Sequence, residues 1–252
     1  MNLVVDIGNT NITLGVFSDS DLQETFRIES NKSFNSAKYG ELLLNLLKEY
    51  EVKNCIIASV VEELSLVLKE ACDRAFGINT FIYTSSFDCK MPIKVSSPDQ
   101  VGTDRLVNAF GAKNKYPLPL IVVDIGTATT FDIVSKQGEF IGGIIMPGIR
   151  LQLASLNANT SKLPLVEIEP SKQVIGDSTK NAILSGVVRG TASAIEGLVT
   201  QCEKELGEKA TVIATGGYSE IISQYTKRFD YIDATLTLEG LASLLELYLE
   251  YV

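Results

Sequence analysis

Two segments of this chain end an apolar run on a carboxylate and follow it with glycine and small polar residues. The first is Val4-Val5-Asp6-Ile7-Gly8-Asn9-Thr10, continuing through Asn11 and Ile12 to Thr13. The second is Val122-Val123-Asp124-Ile125-Gly126-Thr127-Ala128, continuing to Thr129 and Thr130. A glycine at this point lets backbone N–H groups approach a ligand closely, and the hydroxyls and amides add donors without adding charge. Such a loop suits the phosphates of a nucleotide, and Asp6 at a strand end suits a hydrated metal ion. A hairpin turn with a capping Asp explains a single copy equally well. The second copy favours the phosphate reading, with the two loops facing each other across a cleft.

A third constellation is Gly102-Thr103-Asp104-Arg105, which follows Pro98 and opens a helical pattern that Thr103 could cap. The helix dipole favours an ionised Asp104, and an ionised Asp accepts a proton from a substrate hydroxyl during phosphoryl transfer. Arg105 can hold a substrate carboxylate in a two-pronged pair. A helix-terminal Asp beside a surface Arg is the plainer reading. Gly142-Gly143-Ile144-Ile145-Met146-Pro147-Gly148 and Ala214-Thr215-Gly216-Gly217 end strands in turns. They offer close backbone approach to a ligand or tight packing alone. Thr179, after Ile175-Gly176-Asp177-Ser178, is a helix cap or a substrate ligand.

Composition removes several alternatives. The 252 residues contain no histidine, which excludes Ser-His-Asp and Cys-His nucleophile systems and His-ligated zinc. Any general base is therefore a carboxylate, Lys, Tyr or Cys. No Gly-Lys dipeptide and no Gly-x-Gly occurs, so neither a P-loop nor a dinucleotide fingerprint is present. A net charge of −9 disfavours nucleic acid as a partner. Cysteines 55, 72, 89 and 202 form no CxxC pair and read as buried thiols of a reducing compartment. With no basic-then-apolar opening and no long apolar run, the expected location is the cytoplasm, away from membranes.

The elements that position these residues alternate between strands and helices. Strands are expected at Leu3–Asp6, Ile12–Phe17, Glu24–Ile28, Cys55–Val61 and Phe81–Tyr83, and helices around Leu42–Tyr50, over Glu62–Phe76 and through Leu106–Lys113. Tyr116-Pro117-Leu118-Pro119 breaks the chain, and the opening pattern then recurs. Strands follow at Thr130–Val134, Phe140–Ile145 and Thr211–Ala214, and helices at Ile149–Leu156, Thr179–Lys204 and Leu238–Tyr248. The repeat predicts two domains of one α/β topology, 1–117 and 118–252.

Taken in series, these motifs resemble those of type III pantothenate kinases over nearly the whole chain. They are Asp6-x-Gly8-Asn9-Thr10, Gly102-x-Asp104-Arg105, Asp124-x-Gly126-Thr127-Ala128-Thr129-Thr130, Gly142-Gly143-x-Ile145-x-Pro147-Gly148 and Gly216-Gly217. The resemblance implies the acetate and sugar kinase, actin and heat-shock ATPase superfamily. Its fold is α/β, two ribonuclease-H-like domains with mixed sheets around a nucleotide cleft. It implies ATP-dependent phosphorylation of pantothenate, the first step of coenzyme A synthesis. Asp104 would be the catalytic base. Asp6, Ile7, Gly8, Asn9, Thr10, Asn11, Ile12 and Thr13 would bind ATP, together with Thr127. Gly102, Thr103, Asp104, Arg105 and Thr179 would hold pantothenate. Asp124 would ligate a monovalent cation, K⁺ or NH₄⁺, beside the Mg²⁺ that accompanies ATP. A homodimer is implied as well. The family usually has Tyr seven residues before the Gly of Gly-x-Asp-Arg, where this chain has Val95. The rival expectations are another small-molecule kinase of the superfamily and a non-catalytic nucleotide-binding factor. The paired Asp104 and Arg105 argue against the second, and the short chain argues against the first.

Overall fold

The computed structural model describes residues 1–251. In chain order the first elements are β1 (Asn2–Ile7), β2 (Asn11–Ser18), β3 (Asp21–Glu29), α1 (Ser36–Leu46), β4 (Asn54–Ser59), α2 (Glu62–Phe76), β5 (Phe81–Ile82) and α3 (Thr103–Lys115). Then come β6 (Leu120–Ile125), β7 (Ala128–Val134), β8 (Phe140–Pro147), α4 (Ile149–Ala158), α5 (Thr179–Leu184), α6 (Gly190–Leu206), β9 (Thr211–Thr215), α7 (Ser219–Ser223), β10 (Tyr231–Ile232) and α8 (Leu236–Tyr251).

The expected repeat is present as two sheets of one topology. The first has strand order β3-β2-β1-β4-β5 and the second, read in the matching direction, β8-β7-β6-β9-β10. In each, three strands form an antiparallel meander and two more join in parallel: β1 pairs antiparallel with β2 and parallel with β4, and β6 does the same with β7 and β9. Parallel pairing requires a crossover, which α1 supplies in the first sheet, and α4 to α6 in the second. These are the mixed sheets of the ribonuclease-H-like arrangement.

The residues group into two compact units. The first comprises Met1–Met91, Val95–Asn114 and the residues from Thr235 on; the second comprises Pro92–Lys94 and Lys115–Ala234. In the first, alternation along β1 sends Leu3, Val5 and Ile7 into a core with Leu43 of α1 and Leu64 and Leu68 of α2. Asn35 caps α1 by accepting from the Lys38 N–H, and Gly77, at φ 67°, ends α2 in the left-handed conformation. In the second unit, Ile121, Val123 and Phe131 pack against Leu153 of α4 and Ile195 and Val199 of α6. Val252, the last residue of the expected second domain, lies outside the described residues.

Two features differ from the sequence reading. The division expected at 117 falls close to the crossing at Asn114–Lys115, yet α8, which that division assigns to the second half, packs in the first unit. Glycine makes this contact close: a Cβ on Gly240 of α8 would lie 2.6 Å from the Val107 carbonyl oxygen of α3, and one on Gly111 would lie 2.9 Å from the Gly240 Cα. The second difference is that the helix expected over Thr179–Lys204 contains a widened π turn at Ser185–Arg189. The Ser185 hydroxyl donates to the Val174 carbonyl, and the Arg189 guanidinium reaches Ser171, so tertiary hydrogen bonds hold the turn open. The run Thr179–Leu206 is long and apolar enough to cross a membrane by composition, but half of its most apolar window is buried within the protein.

Two helix glycines separate packing from propensity. Ala is favoured over Gly in a helix by about 1 kcal/mol. Nothing lies within 4 Å of a Cβ built on Gly197, so Gly197→Ala is expected to gain up to about 1 kcal/mol. At Gly240 the backbone clash opposes that gain with about 1–3 kcal/mol. Gly240→Ala is therefore expected to lose stability, read as a lower urea midpoint at unchanged slope. A midpoint equal to that of Gly197→Ala would contradict the close α3–α8 crossing.

Candidate active site

Asp6 lies at the end of β1, on the face opposite the core residues Leu3, Val5 and Ile7. Its register partners are Thr13 on β2 and Ala58 on β4, so the Asp6 carboxylate and the Thr13 hydroxyl project from the same face of the sheet. The loop between β1 and β2 closes on itself: the Gly8 N–H donates to the Asn11 carbonyl at 2.9 Å. Ser30 braces it from β3's end, its hydroxyl donating to the Gly8 carbonyl at 2.6 Å and its N–H to the Thr10 carbonyl at 3.0 Å. Asn9 and Thr10 are exposed, while Ile7 and Ile12 are fully buried. Those two isoleucines therefore have only main-chain groups to offer a ligand.

The Gly-Thr-Asp-Arg segment reaches the same end of this sheet through β4. Ile7 and Ser59 are level in the parallel pair, and the Val60 N–H donates to the Ile7 carbonyl at 3.1 Å. One residue away, the Thr103 hydroxyl donates to the Ser59 carbonyl at 2.9 Å. That bond ties Thr103 to the sheet, and Thr103 is the first residue of α3 rather than the residue before it, which corrects the expectation of Thr103 as a cap. Gly102 begins α3 instead, with its carbonyl accepting from Arg105 at 3.1 Å and Leu106 at 3.3 Å.

Asp104 folds back over this helix start, and its Oδ1 accepts from the Arg105 N–H at 2.8 Å. The sequence reading has the helix dipole keeping it ionised. In the structure burial dominates and raises its pKa above the ordinary aspartate range, opposed by the Arg105 N–H and the Arg105 positive charge. Within the first unit, then, Asp6–Thr13, Ser59 and Gly102–Arg105 meet at one end of the sheet.

The second unit repeats the arrangement at Asp124. Its register partners are Thr130 on β7 and Thr215 on β9, both on its own face. Here the loop is tighter, the Gly126 N–H donating to the Ala128 carbonyl at 2.9 Å. Thr127 is exposed at its tip, whereas Thr129 is fully buried and points to the core. Glycines surround the loop. A Cβ on Gly216, at φ 86°, would lie 2.3 Å from Asp124 Oδ1, and one on Gly126 would lie 3.3 Å from it. A Cβ on Gly148 would lie 2.3 Å from the Thr127 carbonyl oxygen, so the Pro-Gly turn packs directly on this loop. Thr130 is offered with the second loop by the sequence, whereas Thr215 is not singled out as a ligand. Their place beside Asp124 follows from strand register, whose signal was the match between Asp6–Thr13 and Asp124–Thr130.

Thr179 lies at the start of α5. Ser178 is the cap of that helix, accepting from the Asn181 N–H at 3.2 Å, so the capping alternative for Thr179 is not realised. Thr179 lines a groove of about 610 Å³ together with Pro147, Leu151, Gln152 and Leu163. The walls are mainly apolar.

Oxygen donors dominate both loops, which suits hard cations. Among the described residues no three carboxylate or thiol side chains cluster closely enough to cage a metal. A divalent ion at Asp6 would thus complete its shell with phosphate oxygens and water. Beside Asp124 the missing side chains of Gly126 and Gly216 leave a cradle that a Cβ would fill.

Known proteins share this organisation. Among solved structures, a conserved Baf-family protein from Campylobacter jejuni, assigned as a transcriptional activator, superposes with a TM-score of 0.62 at 18% identity, covering 98% of this chain and 99% of the other. A ROK family glucokinase from Streptomyces griseus, in complex with glucose and AMPPNP, gives 0.57 at 12% identity, covering 98% and 99%. At such identities the likeness is one of fold. Sequence relatives are nearer. Type III pantothenate kinase of Syntrophus aciditrophicus (strain SB) is 39% identical over 246 residues, covering 96% of this chain and 97% of the relative. That of Moorella thermoacetica is 38% identical over 247 residues, with the same coverage. The family model for type III pantothenate kinase matches residues 2–201. With a match of that extent and relatives of that identity, the chain belongs to the type III pantothenate kinase family.

Proposed function

We propose that this protein transfers the γ-phosphoryl group of ATP to the primary hydroxyl of pantothenate, giving 4′-phosphopantothenate, the first step of coenzyme A synthesis. The observation that carries the reading is the meeting of the Asp6–Thr13 loop with Asp104 at one end of the first sheet, in a chain of this family. Asp6, Gly8, Asn9, Thr10, Asn11 and Thr13, with the main chain of Ile7 and Ile12, are assigned to ATP, as is Thr127. Asp104 takes the proton of the pantothenate hydroxyl as the new phosphorus–oxygen bond forms and ADP leaves. Arg105 holds the pantothenate carboxylate, and Gly102, Thr103 and Thr179 line the acceptor. Mg²⁺ at Asp6 would neutralise charge on the phosphate oxygens. Three of the four free cysteines are buried, in keeping with a cytoplasmic protein.

The test is product formation. Phosphopantothenate should appear only when ATP, Mg²⁺ and pantothenate are all present. Product from a sugar or another alcohol, with none from pantothenate, would overturn the acceptor.

Asp104→Asn separates catalysis from stability. Loss of a positioned base lowers turnover on the order of 10²-fold or more. The sign for stability is opposite. A carboxyl whose pKa is raised by folding binds more protons when native, so stability falls as pH rises from about 3.9, the unfolded value, through the raised folded value. At neutral pH the ionised Asp104 therefore costs stability, and Asn removes that cost. The expected outcome is a slow enzyme with an equal or higher melting temperature. Near-normal turnover would return Asp104 to a helix-start residue.

The Asp124 cradle is assigned to K⁺ or NH₄⁺. Asp124 at its strand end, with Gly126 and Gly216 packed against its carboxylate, offers carboxylate and backbone oxygens to a weakly hydrated cation beside the phosphates. Initial rates at matched ionic strength should be high with KCl and low with an organic cation or Na⁺. Asp124→Ala should lose the dependence and most activity together. Equal rates in all salts would remove the cation from Asp124.

A homodimer is the expected assembly. The second unit exposes Ile145 at 65%, Leu151 at 47% and Ile175 at 86%, an amount of apolar surface that a second copy would cover. Sedimentation should give twice the chain mass, and Ile145→Glu should shift it toward monomer. A fully active monomer in the parent protein would contradict this.

A further inference from the structure

Gly102 begins α3 without needing glycine's conformational freedom, since its φ is not positive. A glycine is also not the best residue for capping; Ser, Asn and Asp do that better. What the missing side chain provides is space. A Cβ built on Gly102 would lie 2.6 Å from Asp104 Oδ1, while the next nearest atoms, Asp104 Cγ and Val60 Cγ1, stand at 3.7 and 3.8 Å. The only atom it would strike is thus the carboxylate oxygen itself, and no backbone is in the way. That oxygen is the one receiving the Arg105 N–H.

We infer that Gly102 is a positioning residue, whose absent side chain is the seat of the Asp104 carboxylate. The inference rests on the reading of Asp104 as the base. A methyl group at 102 would push Oδ1 off the Arg105 N–H and swing the carboxylate away from its buried position. The backbone, the helix and the Thr103–Ser59 bond would all stay. A displacement of about 1 Å is enough to cost on the order of 10²-fold in a positioned reaction.

The experiment compares Gly102→Ala and Gly102→Ser, each alone and combined with Asp104→Asn. Both side chains carry the Cβ, but Ser is among the best capping residues and Ala a poor one. If Gly102 seats the carboxylate, both variants lose roughly 10- to 100-fold in kcat with an unchanged KM for ATP. Neither loses more once Asp104 is Asn, because the two changes then act through one group. The acid limb of kcat/KM also moves to lower pH in both, as the displaced carboxylate leaves its buried site and its pKa returns toward the ordinary range. Normal kcat in Gly102→Ala, restoration by Ser, or an equal loss in the Asp104→Asn background would overturn the inference. Full turnover in Asp104→Asn alone would instead overturn Asp104 as the base, so the two failures are told apart.

Discussion

The parallel register of β1 with β4, which sets Ile7 level with Ser59, is the constraint on which the first unit's chemistry depends. Parallel strands finish at the same edge, and the edge where these two finish is where the chain has turns to spare for a ligand. Ile7 leads into the Gly8–Thr10 loop and Ser59 into Val60. Once Val60 has bonded the Ile7 carbonyl, the Ser59 carbonyl is the next acceptor available to the helix that arrives from residue 102. Thr103 takes it. A one-residue slip of β4 would put Ser59 on the other face and its carbonyl on the other side. Buried Cys55 and Ile57 on the core face hold it from slipping. The hydrophobic alternation of β4 therefore fixes where Asp104 stands, although no apolar residue touches it.

The same economy of space appears in both units. Asp104 is approached by Gly102, and Asp124 by Gly126 and Gly216. In each case the polypeptide gives a carboxylate room by omitting a side chain, and the carboxylate is drawn part-way out of water. Desolvation raises the free energy of the charged form. In the proposed role of Asp104 as general base that cost would be useful, since a weakly acidic aspartate sits nearer to the pH at which it must both accept and hold a proton. For the cation ligand proposed at Asp124, the same partial burial would strengthen the attraction to an ion. Glycine beside aspartate thus recurs at both carboxylates.

Much of this was legible in the sequence because it is carried by order and spacing. The recurrence of Val-Val-Asp-Ile-Gly gave the duplicated sheet, and the antiparallel and parallel partners of β1 and β6 follow from it. Asp104 and Arg105 stood out as a candidate pair within four adjacent residues. Other features depend on contacts between residues distant in sequence. Thr103 reads as a helix cap until the structure makes it the first residue of α3, with its hydroxyl donating to Ser59, 44 residues earlier. The direction of the Asp104 pKa depends on how much protein surrounds it, and the dipole argument alone gave the opposite sign. Thr179 carries no local signal to choose between cap and ligand. The cap is excluded by its neighbour Ser178, whose hydroxyl takes the capping bond.

The placement of α8 has a similar origin and a wider meaning. In the sequence repeat, α3 follows the fifth strand of the first copy and α8 follows the fifth strand of the second. By descent of pattern α8 belongs with the second half. By packing it belongs with the first, where Gly240 meets Gly111 of α3 and Leu238 stands beside Gly15 of β2. Sequence repetition counts elements along the chain, whereas a compact unit is decided by which apolar face covers which. The face of the first sheet opposite α1 and α2 carries Val4 and Gly15, where Leu238 of α8 stands, while Gly240 brings the same helix close to α3. The helix that bears Asp104 is thereby packed against the last helix of the chain, so the position of this carboxylate depends on residues more than a hundred positions downstream as well as on the β1–β4 register.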